Sequence, residues 1–160
     1  MKSVVITGAN RGIGLELCKQ FLSNGDQVYA TYRSSLGGLE GIESPHLSTF
    51  KLDVRSSNDI EAFASSIEDS VDILINNAGV ADGRWQSISE IDMQHAMEVL
   101  EVNSIAPVLV TQKFESKLKN GSKIVMMSSL MGSISDCMSG RSYAYRASKT
   151  ALNMLSLIHI

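Results

Sequence analysis

The chain has 160 residues, a net charge of −3, and 44% hydrophobic against 19% charged residues. That suits one soluble globular domain with a sizeable core and excludes the basic footprint of a nucleic-acid binder. Cys18 and Cys137 form neither a disulfide framework nor a zinc spacing, and no apolar run reaches the length of a membrane span.

Met1-Lys2-Ser3 leads straight into the apolar run Val4-Val5-Ile6, too short for a secretory signal core. The expected location is therefore cytoplasmic. Val4–Thr7 reads as a strand and Ile13–Asn24 as a helix ending at Gly25, a favoured C-cap residue. Gln27–Tyr32 is a second strand. The Gly/Ser stretch Ser34–Ser44 is a loop with room for a short helix around Leu39-Glu40. Thr49–Leu52 is a third strand, and Asn58–Ile67 has helical spacing through Ile60, Phe63, Ala64 and Ile67. Val71–Ile75 is a fourth strand, Ile91–Leu100 and Ser104–Leu118 are helices, Ser122–Met127 is a fifth strand, and Tyr145–Leu155 is a last helix. Continuous apolar strands alternating with helices predict an α/β fold: a doubly wound parallel sheet covered on both faces by right-handed crossovers.

Thr7-Gly8-Ala9-Asn10-Arg11-Gly12-Ile13-Gly14 lies between the first strand and the first helix. Glycines there permit a tight turn and let the backbone approach a pyrophosphate, while the helix N-terminus offers N–H groups and partial positive charge. The spacing G-x-x-x-G-x-G differs from the general dinucleotide fingerprint. The second strand ends in Thr31-Tyr32-Arg33 with no acid where a ribose 2′-hydroxyl would be bound. Arg33 offers a bidentate fork for a 2′-phosphate, and Arg11 approaches from the glycine loop, so the expected cofactor is NADP(H). Solvated surface charge is the plainer account of both arginines.

Tyr145 and Lys149 stand four apart in a helical segment and share one face. Free tyrosine titrates near about 10, too high for easy proton exchange at neutrality, and a nearby ammonium favours the phenolate. The pair suits general acid–base work, although alone it also describes an ordinary solvated helix face. Ser129 ends the fifth strand, where a hydroxyl can bond a reacting oxygen. Asn103 opens the preceding helix, where its side chain or backbone can hold a water in a relay to Lys149. Ser128 and Tyr143 are the rival serine and tyrosine.

Together, Thr7-Gly8, Gly12-Ile13-Gly14, Asp53-Val54, Asn76-Asn77-Ala78-Gly79, Asn103, Ser128-Ser129 and Tyr145-Arg146-Ala147-Ser148-Lys149 resemble the short-chain dehydrogenase/reductase family. The motifs run in the family's order from residue 7 to 149. Gly132-Ser133-Ile134-Ser135-Asp136 and the residues from Ser139 to Lys149 are similar to its C-factor-like branch. The resemblance implies a Rossmann-like sheet in the order 3-2-1-4-5, with two further strands in the family that this chain does not carry. It implies catalytic roles for Asn103, Ser129, Tyr145 and Lys149. Cofactor contacts are implied for Gly8, Asn10, Arg11, Gly12, Ile13, Gly14, Arg33, Asp53, Val54, Asn77, Ala78, Gly79, Tyr145 and Lys149. Of these, Asp53 and Val54 meet the adenine and Lys149 the nicotinamide ribose. Ser129 and Tyr145 are three residues further apart than in the commonest family pattern, and the extra length falls in the loop expected to border the substrate.

The expected function is hydride transfer between NADP(H) and a small carbonyl/alcohol substrate. A cofactor-binding regulator or signalling protein without turnover is the alternative; glycine spacing and length speak against a sugar-nucleotide epimerase. No metal is expected, since His46, His95 and His159 are isolated, and neither nucleic acid nor membrane is an expected partner. Trp85 suits loop packing, and Met126, Met127 and Met131 suit core gaps. The segment Leu155-Ser156-Leu157-Ile158-His159-Ile160 matches the translation of a widely used transposase sequencing adapter. Residues 1–154 are thus expected to be one incomplete NADP-binding and catalytic domain, and 155–160 a non-native tail. With the fifth strand as an uncovered edge, such a fragment is expected to aggregate or fold in part and to lack activity, whereas the full-length form is expected to be a homo-oligomer.

Overall fold

A computed structural model describes residues 1–83 and 87–157. Trp85 and His159 lie outside the described residues. The chain divides into two compact units, Met1–Ala78 with Leu109–Val125, and Gly79–Val108 with Met126–Ile160.

The first unit is built on a five-stranded sheet in the order β3-β2-β1-β4-β5, as expected. Its strands are β1 (Ser3–Ile6), β2 (Gln27–Tyr32), β3 (Leu47–Lys51), β4 (Val71–Asn76) and β5 (Leu118–Met126). The pairings β1–β2, β1–β4 and β2–β3 are parallel, with Val5 opposite Tyr29 and Leu74, and Ala30 opposite Thr49. Val4, Val5, Ile6, Val28, Val71 and Leu74 are fully buried, which is why these strands read as apolar runs without alternation. Helix α1 (Gly12–Ser23) ends at Asn24, and Gly25 follows at φ +78°. The expected short helix is a 3-10 turn at Gly37–Leu39. Helix α2 (Ser57–Ser66) is capped by Ser56, whose side chain accepts the Asp59 N–H. Phe50, Phe63 and Phe114 form a chain of rings with centroids 4.8 and 5.4 Å apart.

In the second unit α3 (Met93–Leu100) is capped by the Asp92 carboxylate and runs into a π turn at Glu101–Ile105, after which α4 (Ala106–Phe114) begins. The sequence predicts two helices parted near Asn103. Instead the backbone stays helical and absorbs Asn103 in the widened turn. Nor does helix reach Leu118: α4 stops at Phe114, a 3-10 turn covers Glu115–Lys117, and Leu118 starts β5. Gly121 takes a φ of +89°, yet the strand runs through it. The strand ends at Met126, so Ser129 instead caps a 3-10 turn at Leu130–Gly132. Helix α5 spans Tyr143–Leu157. Met126, Met127 and Met131 are half-buried rather than core. No helix among the described residues is long and apolar enough to cross a membrane.

Candidate active site

The first unit holds the glycine loop. Thr7, buried at the end of β1, accepts the N–H groups of Asn77 and Ala78 on its hydroxyl at 3.0 Å each. Asn77 donates through Nδ2 to the carbonyls of Thr7 and Gly8, both at 2.9 Å. A Cβ on Gly14 would stand 2.4 Å from Asn77 Nδ2 and 2.6 Å from Gly8 O, and one on Gly8 would stand 2.9 Å from Ala78 Cα. Glycine is therefore required where helix, loop and β4 converge. The opposite side is open: nothing among the described residues lies within 4 Å of a Cβ built on Gly12. The side chain of Arg11 does not cap α1. Asn10 ties the loop to the next one, donating to Ser35 O at 3.2 Å and accepting the Gly38 N–H at 3.0 Å.

Arg11 and Arg33 are both exposed, Arg33 just beyond β2. Arg33 and Asp53 line an open groove of about 610 Å³ together with Phe50, Lys51, Asp59 and Phe63. Asp53 is gripped by Arg55, which the sequence reading passes over. Nε reaches Oδ1 at 3.0 Å and Nη2 reaches Oδ2 at 2.7 Å. That fork, helped by the Arg55 N–H and the charge of Arg33, holds the Asp53 carboxyl below its ordinary range despite partial burial. Val54 is buried, Ile13 exposed.

The second unit holds Gly79, Asn103, Ser129, Tyr145 and Lys149. Tyr145 packs against Ala96, Val99 and Ala144 with Val80 and Ile91. Lys149 is 5% exposed, its Nζ 5.7 Å from the centre of the Tyr145 ring and 2.7 Å from the Met127 carbonyl. Burial alone pushes the Lys149 ammonium below its ordinary value. Tyr143, the rival, is the exposed first residue of α5.

Asn103 is fully buried and its side chain is engaged. Oδ1 accepts the Val80 N–H at 2.9 Å, and Nδ2 donates to Val80 O at 2.8 Å and to Ser148 Oγ at 3.0 Å. Ser148 passes its own proton to Tyr145 O at 2.8 Å, and Ser104 Oγ donates to Ser148 O at 2.9 Å. Of the two groups the sequence offers on Asn103 for holding water, the amide is committed to structure, which leaves the backbone. Ser129 Oγ accepts the Met131 N–H at 3.2 Å, and its O–H makes no bond among the described residues. Ser128 instead donates to Asn153 at 2.5 Å, which favours Ser129 as the serine with a proton to offer.

Two anchors escape the sequence reading. Asp82 accepts the Tyr145 N–H at 3.2 Å, capping α5 from a distant turn. Gly132 abuts Lys149: an added Cβ would stand 2.7 Å from the Lys149 carbonyl carbon, and Gly132 O accepts from Thr150 Oγ1 at 2.9 Å. A single acid and a single glycine carry no local signal of either contact.

Residues 2–158 match the family model described as short chain dehydrogenase. Among curated relatives, C-signal of Myxococcus xanthus is 37% identical over 98 residues, which cover 59% of this chain and 58% of that protein. A solved carbonyl reductase from Pseudomonas aeruginosa PAO1, in complex with NADP, is 32% identical with a TM-score of 0.90, over 97% of this chain and 73% of that one. The NADPH bound carbonyl reductase from chicken fatty liver is 33% identical with a TM-score of 0.86, over 97% and 71%. The chain spans 51–69% of the length of five curated relatives that it matches.

Proposed function

This chain belongs to the short-chain dehydrogenase family, and on that premise we propose that it moves a hydride between NADP(H) and a carbonyl/alcohol pair, with Tyr145 as general acid and base. The observation that carries the reading is the buried Lys149 ammonium beside the Tyr145 ring. Retaining a charge at this depth costs stability, and the cost is understandable where the charge serves proton transfer.

The residues present fit the cofactor. The glycine loop is closed on its protein side and open at Gly12, and Arg11 and Arg33 are the exposed cations suited to a 2′-phosphate. Gly8, Asn10, Gly12, Ile13 and Gly14 would take the pyrophosphate, Asp53 and Val54 the adenine side, Asn77, Ala78 and Gly79 the floor, and Lys149 the ribose hydroxyls. When bound, NADPH supplies the hydride. Tyr145 gives its phenolic proton to the carbonyl oxygen in reduction and takes it back in oxidation. Ser129, with its lone pair already on Met131 N–H, donates its O–H to the same oxygen. Lys149 supplies positive charge, and the Asn103 backbone anchors a relay water. The NADP-bound and NADPH-bound carbonyl reductases among the solved structures support the cofactor and the substrate class.

The test is NADPH oxidation with aldehydes and ketones by the full-length protein, in wild type and Tyr145→Phe. Removing the transferable proton should lower kcat at least about 10²-fold with NADPH affinity nearly unchanged. Full activity in the Phe variant would remove Tyr145 from the chemistry. Tight NADPH binding without turnover on any carbonyl would favour the regulatory alternative.

A further inference from the structure

Arg146 follows Tyr145 on α5, and the mechanism above makes no use of it. Its guanidinium reaches back over one loop: Nε donates to Arg141 O at 3.1 Å, Nη2 to Ser139 Oγ at 3.0 Å and Nη1 to Cys137 Sγ at 3.6 Å. Its backbone N–H bonds Ser142 O at 2.9 Å. A planar fork with donors in fixed directions holds three acceptors in one arrangement, which a single ammonium does not.

The loop needs such a hold. Arg141 and Ser142 sit at φ +72° and +49°, left-handed positions that non-glycine residues keep only where their surroundings enforce them. The upstream half is closed by its own bonds, Ser133 Oγ donating to Asp136 Oδ2 at 2.6 Å and accepting the Asp136 N–H at 3.3 Å. The downstream half has bonds of its own, Cys137 N–H to Ile134 O at 3.3 Å, Met138 N–H to Asp136 O at 2.9 Å and Cys137 Sγ to Ser139 O at 3.6 Å, and Arg146 ties Cys137, Ser139 and Arg141 to α5. Between Ser129 and Tyr145 the chain also exposes Leu130, Ile134 and Met138, at 76%, 79% and 93% of their full surface. Single exposed apolar side chains need no explanation. Three on the segment joining the two groups assigned to the reacting oxygen give that segment an apolar character.

We propose that Arg146 is a positioning residue that fixes the 133–142 loop to the start of α5, and that this loop selects carbonyl substrates carrying a bulky apolar substituent, such as an aryl or medium-length alkyl group. The substrate half rests on the carbonyl-reductase reading; the clamp does not. Because the guanidinium and the Tyr145 hydroxyl leave adjacent residues of one helix, the loop is held in register with the proton donor. Loss of the fork frees the loop without moving the donor.

Two measurements on the full-length protein, as wild type, Arg146→Met and Arg146→Lys, test this. Hydrogen–deuterium exchange of the 133–142 amides should quicken about tenfold in both variants, with exchange in the middle of α5 unchanged. NADPH oxidation over a series of methyl ketones of rising chain length, ending with an aryl ketone, should show wild-type kcat/KM climbing with apolar size. Both variants should lose about tenfold of that preference, through KM, while kcat on the smallest ketone stays within about twofold. Unchanged loop exchange refutes the clamp. Faster exchange with an intact size preference refutes selection by the loop. An equal fall of kcat on every ketone makes Arg146 a structural residue and overturns the proposal. If wild type turns over no carbonyl at all, the functional reading fails and the substrate half falls with it, while loop exchange still decides the clamp.

Discussion

Gly132→Ala is the sharpest test of how the second unit is assembled. The added Cβ would lie 2.7 Å from Lys149 C, 2.8 Å from Lys149 Cβ and 2.9 Å from Lys149 O. Carbon atoms at rest stand about 3.5–4.0 Å apart, so a separation of about 1 Å must open somewhere. The obstructing atoms are mid-helix backbone, which no rotamer change can clear. Either α5 shifts or the Leu130–Gly132 turn lifts away. In the second case Gly132 O loses Thr150 Oγ1 at 2.9 Å and Asn153 Nδ2 at 3.3 Å. Overpacking costs about 1–3 kcal/mol and each lost hydrogen bond about 1 kcal/mol. The expected destabilisation is roughly 2–4 kcal/mol, lowering Tm by about 5–15 °C for a chain of this size. Ser129 begins the same turn, so its hydroxyl should move by a similar distance, and a 1 Å misplacement at a reacting centre costs about 10²-fold in rate. Thermal denaturation and NADPH-dependent ketone reduction at 25 °C read the two effects. Gly41→Ala, where nothing among the described residues lies within 4 Å of the added carbon, is the control and should change neither. An alanine at 132 that melts within about 1 °C of wild type would refute the close-packing reasoning.

Lys149→Met should abolish reduction yet raise Tm at pH 7 by a few degrees, since it removes a buried charge and keeps the stem. Because burial holds the folded Lys149 below its ordinary value, the unfolded chain keeps a proton that the folded one releases between the lowered and the ordinary value. Wild-type stability should therefore rise with pH through that window, and the advantage of the Met variant in thermal melts should shrink there. Asp82→Ala should cost about 1 kcal/mol by uncapping the Tyr145 N–H, with Asp82→Asn restoring most of the loss in a chemical denaturation series. Arg33→Asp should weaken NADPH binding and reverse the preference toward NADH, because a like charge then faces the phosphate; calorimetric titration of both nucleotides checks it.

The inner strands were legible because β1 and β4 bury consecutive residues on both faces, so Val4-Val5-Ile6 and Ile73-Leu74-Ile75 read as the apolar runs that mark parallel strands, while the order of the sheet was implied by the family resemblance. Where the reading slipped, long-range contacts outvoted local signals. Leu118 reads as the end of a helix, with the fifth strand beginning only at Ser122. It is strand because Ser122 Oγ bonds Val71 O at 2.6 Å and Lys119 pairs with Asp72 at 2.7 Å, contacts that sequence spacing does not reveal. The π turn around Asn103 is equally silent. Its residues keep a helical pattern, and only the buried amide, engaged with Val80 and Ser148, explains why the helix widens there.

The candidate site divides along the same line. The groups proposed to act on a ligand were visible, because their chemistry restricts residue type: glycine where backbone crowds backbone, tyrosine and lysine four apart, serine shortly after a strand. Groups that hold those residues in place were not, because a carboxylate, a glycine carbonyl or a guanidinium can be supplied from many positions. Asp82 and Gly132 meet α5 at Tyr145 and Lys149, and Arg146 reaches from α5 to the loop before it. Catalysis asks for placement within about 0.5 Å, and none of the side chains of Asn103, Ser129, Tyr145 and Lys149 secures that alone. Asn103 shows the overlap. It was singled out as a chemical group, yet its side chain serves as a strut between Val80 and Ser148, so an alanine at 103 would disturb Tyr145 through Ser148 before any relay is considered. A rate lost in that variant measures placement and chemistry together. Only Ser148→Ala, which removes the strut's far end and leaves the Asn103 backbone alone, separates the two.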